Sequence, residues 1–364
     1  MVDLRIVADD PPELPGPYLV APEELDTLLA GEPRYRVDQF RRWLYEDPVT
    51  DTSGMVNLPT PLRDRFADTL WPFVVEQEQV ADDGKTRKWL FRLPDGPAVE
   101  AVLMAYRDRT TLCISSQAGC ALGCTFCATG QFGFERNLRA GEIVAQVQWA
   151  EASLRADPMP IGPDHVTNIV YMGMGEPLAN YRQVRESLRR LIDVKGMGAR
   201  RITVSTVGVV PGMRALADEP WQVGLAVSLH AADDGLRSRL IPLNDRYPLD
   251  EVVAAAEYFF GVTGRRVSIE WTLMADVNDT DEQADALAPI AQRLNAHVNV
   301  IPMNPTPLAA ERPSSDDRVV GFVDRLGLYG VNATVRTIRG QSIDAACGQL
   351  RAATDGRTGL TPRT

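Results

Sequence analysis

The chain has 364 residues, 45% apolar and 24% charged, which allows a large core and suggests about two domains. No apolar run approaches the roughly 20 residues of a membrane span, and the acidic, proline-rich start "MVDLRIVADDPPELPG" has neither the basic nor the apolar region of a secretory signal, so the sequence reads as cytoplasmic. A net charge of −11 argues against a general affinity for nucleic acid, although it leaves room for a locally basic face.

Residues 1–20 read as a flexible acidic arm. A small helical N-terminal module with linker strands follows over 21–98. Its helices are "APEELDTLL", "RVDQFRRWLYE" and "PTPLRDRFADTLW"; in the second, Phe40, Leu44 and Tyr45 share a face with Arg41 alongside. "KWLFRLPDGPAVEAVLMAYRDRTTLCISSQ" reads as strands separated by the turns "LPDGP" and "RDRT". A larger α/β domain spans 99–350 and a short tail 351–364. In that domain the strands "TLCIS", "VTNIVYM", "RITVST", "VGLAVSLH", "RVSIEWTLM", "AHVNVIPM" and "NATVRTI" alternate with amphipathic segments such as "RAGEIVAQVQWAEASLR" and "DEQADALAPIAQRLNA". Repeated β–α units imply a parallel sheet under helices, and about six or seven of them favour a barrel or partial barrel.

Chemistry in such folds gathers at the carboxyl ends of the strands. Five unusual segments sit there: "SSQAGCALGC", "GMGEP", "STVGVVP", "SLHAA" and "NPTP". In "GMGEP", Gly175 lets backbone approach a ligand and Glu176 offers an acceptor to a cationic amine; an ordinary glycine-rich turn is the simpler alternative. Ser228 and His230 could line a pocket, or His230 could be structural. Asn304 before Pro305 is most simply a turn residue.

Five cysteines in a cytoplasmic chain favour metal or catalytic thiols over disulfides. Cys120, Cys124 and Cys127 lie on a loop after a strand. Three thiolates can hold three irons of a 4Fe–4S cube and leave the fourth iron open; structural zinc is the alternative. Taken alone, Cys113 reads as packing inside an apolar strand, Cys347 as part of a small Ala/Gly-rich segment, and Glu100 as an exposed strand position.

Cys-x3-Cys-x2-Cys after the first barrel strand, with "GE" after the second, resembles the radical S-adenosylmethionine superfamily. "SSQAGCALGCTFCATGQFGFERNL", "YMGMGEPLAN", "STVGVVP", "VSLHAADDGLRSRLIPLN" and "DAACGQL" together resemble the RlmN/Cfr family of radical S-adenosylmethionine RNA methyltransferases, over roughly residues 30–350. The resemblance implies a partial (β/α)6-type barrel with a small helical N-terminal domain. It implies one 4Fe–4S cluster on Cys120, Cys124 and Cys127, with S-adenosylmethionine on the open iron surrounded by Gly175, Glu176, Ser205, Ser228, Leu229, His230 and Asn304. Cys347 would carry the methyl group, Cys113 would be the second reactive thiol and form a disulfide with it, and Glu100 would accept a proton.

The implied reaction is methylation of adenine carbon 2 in 23S rRNA, at the peptidyl-transferase centre, and in tRNA next to the anticodon. It uses two molecules of S-adenosylmethionine per turnover, an external one-electron reductant and a monomeric enzyme without a membrane partner. Arg34, Arg36, Arg41 and Arg42 of the helical module are candidates for gripping the RNA backbone. Competing readings are methylation at carbon 8, a radical activase acting on protein, and a non-catalytic metal-binding RNA protein.

Overall fold

The computed structural model describes residues 16–337 and 339–350; most of the proposed arm and the whole tail after 350 lie outside the described residues. The last residues of the arm are not free. Tyr18 is 1% exposed, its hydroxyl donates to the Leu44 carbonyl at 3.0 Å, and its ring stacks on Trp71 with centroids 5.1 Å apart.

The helical module holds α1 (Leu25–Leu28), α2 (Arg34–Tyr45) and α3 (Thr60–Arg65). The apolar stripe on α2 buries Val37, Phe40, Leu44 and Tyr45, as its spacing predicts. The third helix is shorter than its sequence pattern, ending at Arg65.

Next come β1 (Val74–Ala81), β2 (Thr86–Arg92), β3 (Ala98–Ala105) and β4 (Thr110–Cys113), paired antiparallel in that order. A two-stranded ribbon, β5 (Gln117–Gly119) with β6 (Phe134–Asn137), brackets the short α4 (Ala128–Phe132). From β4 the sheet runs parallel through β7 (Asn168–Tyr171), β8 (Ile202–Thr206), β9 (Gly224–Ser228), β10 (Ser268–Leu273), β11 (His297–Pro302) and β12 (Asn332–Val335).

Helices bridge every parallel step: α5 (Ala140–Ala156), α6 (Tyr181–Arg189), α7 (Val210–Ala217), α8 (Asp234–Leu240) with α9 (Leu249–Thr263), α10 (Asp281–Arg293) and α11 (Asp316–Leu328). All ten strands from β1–β4 and β7–β12 form one sheet with β1 and β12 at its ends, so the expected barrel is partial. Two-residue side-chain alternation sends one face of each strand inward and the other onto the helices.

The module and barrel share packing. α5 is buried nearly all round because the sheet covers one side and the module the other. Trp149 on α5 meets Trp71 edge-on with centroids 5.1 Å apart, and Arg155 pairs with Asp47 at 3.0 Å.

Candidate active site

The three clustered cysteines lie between β5 and α4. The loop is tied down by its backbone: Cys120 N–H donates to the Gly133 carbonyl at 2.7 Å, and Thr125 N–H to the Leu240 carbonyl at 3.1 Å. Gly119 has φ +73°, and a side chain there would put its Cβ 2.1 Å from the Gly133 oxygen, so only glycine fits. All three thiols line one cavity at the carboxyl ends of the strands, with about 950 Å³ of empty space opening to solvent.

Burial pushes the Cys120 thiol up to about 12 and raises Cys124 and Cys127 as well. A metal bound here would have to displace the protons of these thiols. Arg237, fully buried, supplies positive charge beside Cys124, and is held by Asn244 at 2.6 Å and by the Leu229 carbonyl at 3.3 Å. Among the described residues no three His, Cys, Asp or Glu side chains converge on a single point that would hold one metal ion. Three thiols leave a closed structural zinc one ligand short, whereas a cube takes one thiolate on each of three irons.

The strand-end segments close round the same cavity. Gly175 (φ +94°) would drive a Cβ to 2.4 Å from the Gln117 side chain, so its glycine is required by packing against the cysteine-bearing segment, not only by ligand approach. The Glu176 carboxylate accepts backbone N–H groups from Leu178 and Val207, both at 3.0 Å, and burial lifts its pKa to about 7. Ser205 and Ser228 hydroxyls stand 3.4 Å apart on the cavity wall. His230 adopts a left-handed backbone, φ +58°. Its Nδ1 accepts the Thr272 N–H at 2.9 Å, leaving the proton on Nε2, and burial pulls its pKa down to about 3, so the ring is neutral.

Asn304 turns its Nδ2 to the Cys347 carbonyl at 3.2 Å, while its buried Oδ1 has no partner among the described residues. An orphaned acceptor on this wall suits a ligand with N–H donors. The donor set thus fits a thiolate-bound cluster with a polar, amine-bearing co-ligand. Leu229 contributes only backbone: its N–H donates to the Glu270 carbonyl, and its side chain packs in the core.

Cys347 borders this first cavity and also a second one, which is lined by Cys113, Val102, Met104 and Leu350. Sequence distance is bridged by the segment 340–350, which crosses the open lumen. The disulfide expected between Cys113 and Cys347 is absent: all five cysteines are free. The two thiols face a shared cavity as separate groups, and burial pushes Cys113 up to about 12.

Glu100 departs from its sequence reading. It is 4% exposed and ion-paired with Lys88 at 2.8 Å. The whole of β3 is buried, because α5 covers one face and the segment 340–350 the other. Arg87 on one face reaches Ser153 of α5 at 2.7 Å, and Lys88 on the other reaches the Asp344 carbonyl at 3.4 Å. Glu100 lines neither cavity, but strand alternation puts it on the face of Val102 and Met104, which line the second.

Sequence reasoning missed Glu270 and Arg336. Glu270, 4% exposed, accepts from Asn299 at 2.8 Å and stands 3.7 Å from Arg336. Arg336 lines both cavities, and its guanidinium is held charged chiefly by Cys347, with Glu270 and Cys113 adding to it. A carboxylate inside the apolar strand "SIEWTL" was the available signal.

Residues 114–288 match the radical SAM superfamily. A probable dual-specificity RNA methyltransferase RlmN of Chloroflexus aurantiacus is 49% identical over 340 residues, covering 90% of each chain. The protein of the same description from Corynebacterium diphtheriae is 47% identical over 349 residues, covering 92% of each. The crystal structure of a radical SAM methyltransferase from Sphaerobacter thermophilus superposes with a TM-score of 0.87 at 48% identity, covering 93% of this chain and 99% of that one. With this similarity running through both the barrel and the helical module, the chain belongs to the RlmN family of radical S-adenosylmethionine RNA methyltransferases.

Proposed function

We propose that this protein methylates carbon 2 of adenine in 23S rRNA and in tRNA, with Cys347 as the methyl carrier. The observation that supports this reading is the position of Cys347 on two cavities at once, one holding the three clustered cysteines and the other Cys113. When bound, a 4Fe–4S cluster and S-adenosylmethionine supply the methyl group and one-electron radical chemistry.

The residues then divide the work. Cys120, Cys124 and Cys127 would hold the cluster, while Glu176, Ser205, Ser228, His230 and Asn304 would orient the cofactor through hydrogen bonds. Carbon 2 of adenine is too electron-poor to take a methyl cation equivalent directly, whereas a thiolate at Cys347 accepts one by displacement. Arg336 offers positive charge beside that thiol. Cys113, across the same cavity, would attack the Cys347 sulfur, breaking its bond to the RNA-borne carbon, which takes up a proton, and leaving a Cys113–Cys347 disulfide for an external reductant to reopen. Glu100 is assigned the ring proton by the family resemblance; ion-paired with Lys88 on the strand face of Val102 and Met104, it would take that proton only through a group that lines the second cavity. Two molecules of S-adenosylmethionine are consumed per turnover, and Val102, Met104, Ile301 and Leu350 give the second cavity an apolar part in which water is limited.

The test is methyl-labelled cofactor with anaerobically reduced protein and RNA. Label should reach Cys347 and then carbon 2 of adenine, located by mass spectrometry of the digested RNA. Label on carbon 8, or turnover in Cys347→Ala, would overturn the reading.

A further inference from the structure

The second cavity opens beside a guanidinium stack that no part of the chemistry above uses. Tyr106, at the end of β3, carries the Arg109 guanidinium 4.1 Å from its ring centroid and that of Arg339 at 5.2 Å. Its hydroxyl reaches Met104 Sδ at 3.9 Å, and Met104 and Arg339 both line the second cavity. The stack therefore stands at the rim of the space shared by Cys113 and Cys347.

The charges on this rim are poorly neutralised. Among the described residues Arg339 has no ion-pair partner, and its buried Nε has no hydrogen-bond partner. Arg109 pairs only with its neighbour Asp108, at 3.2 Å, through side chains that are 44% and 76% exposed. Such a contact is weak in water and readily exchanged for a phosphate. In the helical module Arg36 is held by Gln39 and the Asn57 carbonyl, whereas Arg41 and Arg42 make exposed pairs with Asp38 and Glu46; none of these arginines borders either cavity.

We infer that Arg109 and Arg339, stacked on Tyr106, grip the phosphates of the RNA strand whose adenine enters the second cavity. The inference rests on the RNA-methylating reading above and adds the surface by which the strand is held. A base drawn into a pocket leaves its sugar-phosphate at the mouth, where guanidinium planes meet both phosphate oxygens and stacked rings. Two cations on one ring fix the spacing of the grip without burying a carboxylate.

The test measures binding of a labelled RNA hairpin with an unpaired adenosine to the anaerobically purified holoprotein over a salt series. Arg109→Ala with Arg339→Ala should weaken binding roughly tenfold at fixed salt and flatten the logarithmic salt slope by about 1.4, the share of two single-strand phosphate contacts. Arg109→Lys with Arg339→Lys should keep most of the slope, because the point charges remain. Unchanged binding in the alanine pair overturns the inference. So does a salt slope in the lysine pair as flat as in the alanine pair, which would make the stack a purely structural brace, or a loss that follows Arg41→Ala with Arg42→Ala instead. If the unaltered protein binds no RNA, the RNA reading itself fails; if it binds and the alanine pair binds equally well, only the rim assignment fails.

Discussion

Ala128 donates its backbone N–H to the Gly348 carbonyl at 2.8 Å. The residue after Cys127 is thus hydrogen-bonded to the residue after Cys347, and two cysteines far apart in sequence become neighbours through main chain alone. Thr129 reinforces the tie, its hydroxyl donating to the Leu350 carbonyl at 2.6 Å. Replacing Thr129 by Val removes one such bond, worth about 0.5–1.5 kcal/mol. Iron content should be retained while methyl label on Cys347 falls several-fold, because the strap loosens but the cysteine loop stays. Equal labelling in the variant and the parent would show that the strap does not position Cys347.

The five cysteines should separate into two groups by iron analysis. Anaerobically purified protein should carry about four irons per chain. Ser at Cys120, Cys124 or Cys127 should abolish this content and the brown colour. Ala at Cys113 or Cys347 should leave it in place and instead change the fate of the methyl group. Cys113→Ala is expected to accumulate RNA bound to Cys347, seen as a slower band removed by nuclease.

Burial raises the Cys113 thiol from its ordinary 9.0 to about 12. The folded state holds that proton more tightly than the unfolded chain. The stability linked to this thiol is therefore complete below about pH 9 and is lost as pH rises toward 12. At pH 8 its thiolate fraction should be about a thousandfold below that of the unfolded chain. Iodoacetamide should label Cys113 slowly in native protein and fast in denaturant, as read by peptide mass spectrometry.

Lys88→Met should destabilise the protein measurably, because it removes a buried ion pair with Glu100. Thermal or denaturant unfolding measures this. Adding Glu100→Gln should recover part of the loss by removing the charge that Lys88 neutralised. A single variant no less stable than the parent would mean that water reaches this carboxylate.

The strands were legible because runs such as "RITVST" and "AHVNVIPM" are β-branched and short, and the parallel sheet that they build is buried on both faces. The cysteine motif and the strand-end position of Glu176, His230 and Asn304 were legible for the same reason: a parallel sheet sends every strand end to one rim. Glu100 was misread because alternation marks a two-sided strand without saying what covers each side. Its cover comes from residues 340–350, which no local pattern assigns to β3. Glu270 and Arg336 carry no motif; each is a charge whose partners lie on other elements, so only tertiary structure reveals them.

The strap has a consequence for the order in which the molecule becomes functional. Every strand of the sheet, the three clustered cysteines and Cys113 precede residue 336. Asp82 at the β1–β2 turn accepts from Gly340 N–H at 2.9 Å, and Lys88 donates to the Asp344 carbonyl at 3.4 Å, so landing points for the segment 340–350 already exist on the sheet. A growing chain can therefore complete its architecture before it owns Cys347. Being folded and being competent are successive events here, and the second depends on a short stretch made after the sheet that contributes no strand among the described residues.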